Sequence, residues 1–277
     1  MTTDRIPLAG VIGSPVAHSK SPQLHHHWLR VHGLRGHYIP MDVNTDDLAE
    51  VLGTLPKMGF VGVNITVPHK EKVLEIADLI TDRATLIGAA NTLIFRKDGK
   101  IHADNTDGYG FIENLRQGAP NWNPSSGPAV VLGAGGAARA VVASLIDVGV
   151  PEILISNRTR VRAEKLADDF GKRVKVVDWV KAGNVLEDAD MVVNTTSLGM
   201  LGKPEMRVPL DGLRKGTLVT DLVYNPLQTR LLREAEALGC QTVDGLGMLL
   251  HQAVPAFERW FGKRPVVDAA TRAAILR

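Results

Sequence analysis

Short apolar runs alternate with stretches of helical periodicity along most of this chain, the pattern of an α/β protein with buried strands. In the first third, strands are predicted from Leu8 to Gly13, from His37 to Val43, and from Gly62 to Val67, where apolar and polar positions alternate. A helix is predicted from Ser21-Pro22 through Trp28, Leu29 and Val31 to a stop at Gly33, with Ser21 as N-cap and Pro22 at the first helical position. A second runs from Asp46 to Leu55, with acidic residues in its first turn. Pro68 is expected to start a third helix reaching about Ala77, and a short one covers Arg83 to Ile87. Two runs, Asn91 to Phe95 and Lys100 to Ala103, flank Lys97-Asp98-Gly99, which is a hairpin signal.

The clearest interruption is residues 118–128, where proline, glycine, serine and asparagine crowd together and no apolar period survives. Past it, strands are predicted from Ala129 to Leu132, Glu152 to Ser156, Lys175 to Val177, Met191 to Asn194, Thr217 to Val223 and Gln241 to Val243. Helical periodicity follows the first of these through Val141, Val142, Leu145 and Ile146 to a C-cap glycine, Gly149, and returns from Val161 to Phe170 and from Leu227 to Leu238. Repeated βα units imply a parallel, doubly wound sheet. The last two predicted helices, Met248 to Phe261 and Val267 to Leu276, have no strand partners nearby in sequence and are expected to return to the first domain. The expected organisation is therefore an N-terminal α/β domain of residues 1–117 completed by 248–277, and a doubly wound domain of residues 118–247.

Composition narrows the class without choosing a chemistry. Hydrophobic content of 44% and charged content of 22% suit a globular chain, and a net charge of +2 gives no sign of nucleic-acid or membrane binding. Cys240 is the only cysteine, which excludes an internal disulfide and any multi-cysteine metal site. No apolar run approaches the ~20 residues of a membrane span and the opening residues hold no signal-peptide core, so the cytoplasm is the expected compartment.

The strand ending at Leu132 feeds directly into Gly133-x-Gly135-x-x-Ala138, a dinucleotide fingerprint with alanine in third place. Gly133 permits the tight turn, Gly135 lets a pyrophosphate approach the backbone, and Ala138 keeps helix and strand close. The helix N-terminus offers its free N–H groups to the anion. An NAD site usually ends its second strand in Asp or Glu, ~20 residues past the glycines, to hold the ribose 2′-hydroxyl. Here that strand ends in Ser156-Asn157-Arg158-Thr159, with Arg160 and Arg162 close behind. Arginine cannot accept from a hydroxyl but can pair with a 2′-phosphate, and cations at a helix start oppose the macrodipole unless an anion sits there. NADP is the expected cofactor, held in a Rossmann-type domain.

A hydride-transfer site needs a second set of groups. Ser19 and Ser21 are two apart in an extended entry loop and suit a carboxylate, although Ser21 alone serves equally as a cap. Asn64 and Thr66 share a face of the third strand, and Lys70 follows in the first turn of the next helix. Asn91 opens the next strand, and Asn105-Thr-Asp-Gly108 closes the hairpin, so Asp107 is either a functional acid or a helix cap. If Lys70 and Asp107 meet in a cleft, they form a proton-transfer pair, lysine exchanging the proton and aspartate orienting it. Thr195 follows a strand end near the fingerprint; Tyr224 precedes Asn225-Pro226, and Gln252 lies one turn into a late helix.

Taken jointly, His18-Ser-Lys-Ser-Pro22, Asn64-Ile-Thr-Val-Pro-His-Lys70, Gly88-Ala-Ala-Asn-Thr92, Asn105-Thr-Asp-Gly108, Gly133-Ala-Gly-Gly-Ala137, Asn157-Arg-Thr159, Asp221-Leu-Val-Tyr-Asn-Pro226 and Gly245-Leu-Gly-Met-Leu-Leu-His-Gln252 resemble the shikimate dehydrogenase family over essentially the whole chain. The resemblance implies reversible reduction of 3-dehydroshikimate to shikimate with NADPH, on the way to chorismate and the aromatic amino acids. It implies a monomer or homodimer acting on a small molecule, with no metal. It assigns Ser19 and Ser21 to the substrate carboxylate, and Thr66, Asn91, Asp107, Tyr224 and Gln252 to ring hydroxyls or carboxylate. Lys70 matches the catalytic lysine, acting with Asp107. Gly133, Ala134, Gly135, Gly136 and Ala137, with Asn157, Arg158, Thr159 and Arg162, match the NADP-binding stretches; Thr195, Leu222, Gly245 and Asp82 match further cofactor positions. His25-His-His27 is unusual after the serine motif; consecutive helical residues point about 100° apart and cannot converge on one metal, so these are surface or packing residues. A quinate/shikimate dehydrogenase using NAD would carry an acid in place of Arg158 and an altered serine pair. A catalytically silent nucleotide sensor would lack Lys70 or Asp107. Neither departure occurs.

Overall fold

The computed structural model describes residues 5–277, which divide into two compact units, one the chain up to Thr106 together with Gln252–Arg277, the other Asp107–His251. The first unit is built on six strands, β1 (Leu8–Gly13), β2 (His37–Asp42), β3 (Phe60–Ile65), β4 (Leu79–Ile80), β5 (Thr92–Phe95) and β6 (Ile101–Asp104), in the order β2-β1-β3-β5-β6-β4. β1 pairs in parallel with β2 and β3, whereas β5 runs antiparallel to β3 and β6. Helices α1 (Ser21–Val31), α2 (Leu48–Thr54) and α3 (Asp82–Ile87) join the strands. One face buries Leu48, Leu52, Val63, Ile65 and Leu93 in a common cluster. The β5–β6 hairpin forms as the sequence predicts, with Gly99 at φ +85°, a left-handed conformation that glycine adopts without a Cβ penalty.

Two local expectations are corrected, and one strand is added. The N-cap of α1 is Lys20, without a side-chain cap bond, so Ser21 and Pro22 are the first helical residues and the Ser21 hydroxyl is left for other partners. The helix expected from Pro68 to Ala77 is only a 3-10 turn, Lys72–Glu75. Its groups are drawn into tertiary bonds instead: the Ala90 amide donates to the Lys70 carbonyl at 2.8 Å, and His69 Nε2 bonds the Val43 carbonyl at 2.8 Å. The chain past that turn forms β4, a two-residue strand beside β6 whose apolar pair Leu79-Ile80 is too short to carry a periodic signal.

The second unit is a six-stranded, fully parallel sheet of β7 (Ala129–Leu132), β8 (Ile153–Ser156), β9 (Val174–Val177), β10 (Met191–Asn194), β11 (Leu218–Asp221) and β12 (Gln241–Val243), in the order β12-β11-β10-β7-β8-β9. Read from β9, this is the doubly wound 3-2-1-4-5-6 order of a Rossmann-type domain, and the winding reverses between β7 and β10. Helices α4 (Asp107–Gly118), α5 (Gly136–Asp147), α6 (Arg160–Phe170) and α7 (Arg230–Ala237) surround it, and Gly149 at φ +96° stops the chain just past α5. A 3-10 segment over Trp179–Val185 was not foreseen. The expected division at residue 118 lies instead before Asp107. The reason is packing: α4 buries Phe111, Ile112 and Leu115 in one cluster with Val141, Val142 and Leu145 of α5. The proline- and glycine-rich stretch is thus a loop within the second unit.

The C-terminal helices α8 (Leu246–Phe261) and α9 (Ala269–Leu276) behave as expected from Gln252 onward, where they return to the first unit. There α9 docks on α1 through Gln23 Nε2 to the Ala274 carbonyl at 2.6 Å and Trp28 Nε1 to Thr271 Oγ1 at 3.4 Å. Among the described residues no helix is long and apolar enough to cross a membrane, and no cluster of three His, Cys, Asp or Glu is placed to hold a metal ion.

Candidate active site

The first unit gathers several predicted side chains into one connected polar cluster. From β3, buried Asn64 donates through Nδ2 to the Asn91 carbonyl at 3.0 Å and to Thr92 Oγ1 at 3.1 Å, and its Oδ1 accepts from the Tyr38 hydroxyl at 2.7 Å. Asn91, between Ala90 and β5, donates through Nδ2 to Thr106 Oγ1 at 3.0 Å and to Gln252 Oε1 at 3.1 Å. Its Oδ1 accepts from the Thr106 amide at 2.9 Å. Gln252 is one hundred and sixty-one positions away along the chain, and the return of α8 is what delivers it. The Ser21 hydroxyl reaches the Tyr38 phenol oxygen, so the start of α1 joins the same cluster. A bonded network of this kind fixes each amide in one orientation and leaves a rigid polar wall.

Ser19 and Thr66 border this cluster. Ser19 Oγ accepts from the Ser21 amide at 3.3 Å, and the Thr66 amide bonds the Ile12 carbonyl at 2.9 Å. Lys70 is half-buried, its backbone tied to Ala90 one residue before Asn91. Beyond Asn91, the corner at Asp104 is locked by Thr81 Oγ1 at 2.9 Å, Arg83 Nε at 2.6 Å and the Asn105 amide at 2.8 Å. Burial alone would raise the Asp104 carboxyl, but the Arg83 guanidinium and the other donors outweigh it and hold the group below the usual carboxylate range. Asp82 does not join the cluster: it sits exposed in the first turn of α3, where an acid already favours the helix dipole.

The second unit assembles the other predicted set at the C-terminal ends of its strands. The Gly133 turn follows β7 at φ +112°, its amide bonded to the Ser156 carbonyl of β8 at 2.8 Å. A Cβ there would lie 2.5 Å from Thr195 Oγ1, so the loops after β7 and β10 touch at the point where the winding reverses. By contrast, a Cβ on Gly135 or Gly136 would meet nothing within 4 Å. The N-cap of α5, Gly135, has no side-chain cap bond, so an open cradle of amides stands where a pyrophosphate fits. Beside it, Asn157 Nδ2 bonds the Thr159 carbonyl at 2.8 Å, shaping the turn before α6.

The arginines that follow are not equivalent. Arg160 is engaged by Glu164 at 2.7 Å and by Asp178, and Arg139 by Asp169 at 2.6 Å. Among the described residues the exposed side chains of Arg158 and Arg162 have no hydrogen-bond or ion-pair partner. With no acid at the end of β8, these two suit a phosphate and not a ribose diol.

Asp221 organises the remaining loops. Its carboxylate accepts from Asn194 Nδ2 at 2.8 Å, the Val223 amide at 2.9 Å and Thr229 Oγ1 at 2.7 Å, and burial still pushes its pKa up to about 6. Asn194 in turn accepts from the Thr196 amide at 2.9 Å. This knot fixes the segments bearing Thr195, Leu222 and half-buried Tyr224, whose hydroxyl burial also pushes upward. Gly245 lies so close to Leu222 that a Cβ would fall 2.5 Å from the Leu222 carbonyl oxygen, which brings two further predicted cofactor positions together. Asp107 is the first residue of α4 and is buried. Tyr38, Thr92, Thr106, Asp221 and Thr229 were not singled out from the sequence, although Thr92, Thr106 and Asp221 lie inside motifs that carry the resemblance. His25-His-His27 divides as expected between packing and surface, with His25 fully buried and His26 exposed.

These two halves define a class: a two-domain α/β protein in which a Rossmann-type unit with an anion cradle accompanies a second α/β unit with a preorganised polar wall. Residues 11–93 match the family described as shikimate dehydrogenase substrate binding domain, residues 120–208 shikimate/quinate 5-dehydrogenase, and residues 245–275 shikimate 5′-dehydrogenase C-terminal domain. The chain belongs to the shikimate dehydrogenase family. It is 72% identical, over 98% of both chains, to a protein of Cereibacter sphaeroides named shikimate dehydrogenase (NADP(+)). It is 68% identical to the protein of that name from Roseobacter denitrificans over the full length of both. Among solved structures, Thermus thermophilus shikimate 5-dehydrogenase in complex with NADP(H) and shikimate is 38% identical with a TM-score of 0.87, covering 98% of this chain and 99% of that one. Quinate dehydrogenase from Corynebacterium glutamicum in complex with NAD is 35% identical with a TM-score of 0.90, over 97% and 98%.

Proposed function

We propose that this protein is an enzyme that reduces 3-dehydroshikimate reversibly to shikimate with NADPH, in the route to chorismate and the aromatic amino acids. The observation that carries the reading is likeness along the whole chain: relatives named shikimate dehydrogenase (NADP(+)) share 72% of residues across both halves, not the nucleotide half alone. Arg158 and Arg162, without partners among the described residues, support a 2′-phosphate on the cofactor. Bound NADPH supplies a hydride to the C3 carbonyl carbon.

The chain's own residues do the rest. Lys70 gives a proton to the C3 oxygen as it becomes a hydroxyl, and takes it back in the reverse direction, with Asp107 orienting the ammonium group. Ser19 and Ser21 hold the carboxylate, while Thr66, Asn91, Tyr224 and Gln252 hold ring hydroxyls or carboxylate; the bonding of Asn91 to Gln252 at 3.1 Å supports a shared role for those two. Gly133, Ala134, Gly135, Gly136 and Ala137 cradle the pyrophosphate, and Asn157, Arg158, Thr159 and Arg162 take the adenosine ribose and its phosphate. Thr195, Leu222 and Gly245 line the nicotinamide side, and Asp82 is the family position with least support from its surroundings. The reading places the enzyme in the cytoplasm as a monomer or homodimer, working on a small molecule without nucleic acid, membrane or metal.

The test is the rate of NADPH formation from shikimate by the intact protein and by Lys70→Ala. General acid–base contributions run to about 10²–10⁴-fold, so the variant should lose at least a hundredfold in kcat with its affinity for NADP unchanged. Equal turnover by the two proteins would remove Lys70 from the chemistry.

A further inference from the structure

Tyr38 belongs to β2, a strand from which nothing has been assigned to substrate or cofactor, yet its phenol oxygen meets Asn64, which holds the assigned Asn91, and lies beside the assigned Ser21. It donates to Asn64 Oδ1 at 2.7 Å and is reached by the Ser21 hydroxyl. Asn64 cannot turn its amide over, because Nδ2 is committed to the Asn91 carbonyl at 3.0 Å and Thr92 Oγ1 at 3.1 Å. Its buried carbonyl oxygen therefore depends on the donor that Tyr38 provides. The tyrosine ring is itself immobilised: it stacks on His25 of α1 with centroids 3.9 Å apart and planes 9° from parallel. Trp28, Phe257, Trp260 and Phe261 enclose the same His25 ring. Both His25 nitrogens are buried without a hydrogen-bond partner, and burial holds that ring neutral with a pKa lowered to about 3, so the stack carries no charge at working pH. Burial likewise keeps the phenol protonated, as a permanent donor.

We infer that Tyr38 is a positioning residue for substrate binding: a rigid, uncharged post, braced by His25, that orients Asn64 without touching the substrate. The inference rests on the proposed reading of this cluster as the shikimate pocket. It explains why an edge strand far from the nucleotide fingerprint in sequence buries a tyrosine completely. It also gives His25 a purpose as an aromatic platform.

The experiment is a double-mutant cycle of Tyr38→Phe with Asn64→Ala, measuring KM and kcat for shikimate, KM for NADP and the thermal midpoint. KM is independent of the folded fraction, so a partly unfolded variant still reports. Phenylalanine keeps the stack and removes only the hydroxyl; loss of one buried hydrogen bond should raise KM for shikimate about tenfold, with kcat within about threefold and KM for NADP unchanged. If Tyr38 acts through Asn64, the double variant binds shikimate no worse than Asn64→Ala alone. An unchanged KM in Tyr38→Phe, additive losses in the double variant, or a lowered midpoint with every KM unaltered would each overturn the inference and leave the pocket reading standing. An Asn64→Ala variant with unaltered KM for shikimate would overturn the inference as well.

Discussion

Replacing Asp221 by asparagine should remove that carboxyl's share of the pH dependence of stability in the nucleotide half. The wild-type carboxyl accepts three hydrogen bonds and is 1% exposed, yet burial raises its pKa from 3.8 to about 6. In the unfolded chain it ionises near its ordinary value, so the folded protein holds this proton more tightly. The stability contributed by the protonated group is complete below about pH 4 and is lost as pH rises through about 6. At ~1.4 kcal/mol per pKa unit, the full loss is about 3 kcal/mol. The asparagine of Asp221→Asn would keep the oxygen that serves Asn194 and the Val223 amide, and turn its amide nitrogen toward Thr229 Oγ1, whose hydroxyl can rotate to accept. The assay is thermal unfolding of both proteins in matched buffers from pH 4 to pH 8. The midpoint of Asp221→Asn minus that of wild type should climb across this range by roughly 5–10 °C, with most of the change between about pH 4 and pH 6. Two curves that stay parallel would show that Asp221 is not carrying an ionisation penalty in the fold, and the reasoning would fail.

Arg158→Ala should raise KM for NADP by about tenfold or more while changing KM for NAD little, read from initial rates with each cofactor; parallel changes would remove the 2′-phosphate role. The two fingerprint glycines should separate by experiment. Gly133→Ala, at φ +112° and 2.5 Å from Thr195 Oγ1, should lower the thermal midpoint measurably before any cofactor is added. Gly135→Ala has open space for its methyl and should leave the midpoint alone but weaken NADP binding in titration calorimetry, since the methyl stands where the pyrophosphate approaches.

The nucleotide half was readable from the chain because each of its decisions is local. A strand ending at Leu132, a glycine with positive φ at 133 and a small residue at 138 fall close together, and the arginines proposed for the 2′-phosphate follow the next strand. The substrate half was harder, because its cluster is assembled from β2, β3, β5, α1 and α8. Asn91 and Gln252 could be matched to family motifs, but their 3.1 Å bond depends on α8 returning after the whole nucleotide unit. Tyr38 drew no notice in the sequence, because only the fold brings its hydroxyl to Asn64, two strands away across β1. The Pro68 helix was over-read because propensity cannot see that the Lys70 carbonyl is taken by Ala90 and His69 by Val43. The domain division was displaced for a related reason: turn-forming residues at 118–128 mark where the chain bends, whereas the boundary is set by which core α4 fills. Arg160 resembles Arg158 in sequence and differs in having Glu164 and Asp178 within reach.

The central claim, that this chain couples a shikimate-specific pocket to NADP, is tested most directly by initial rates on shikimate and on quinate with each of NADP and NAD, followed at the nicotinamide absorbance. The account predicts that kcat/KM is greatest for shikimate with NADP, and falls by about tenfold or more when either the substrate or the cofactor is exchanged. Equal or higher efficiency with quinate or with NAD would contradict it and favour the quinate dehydrogenase reading.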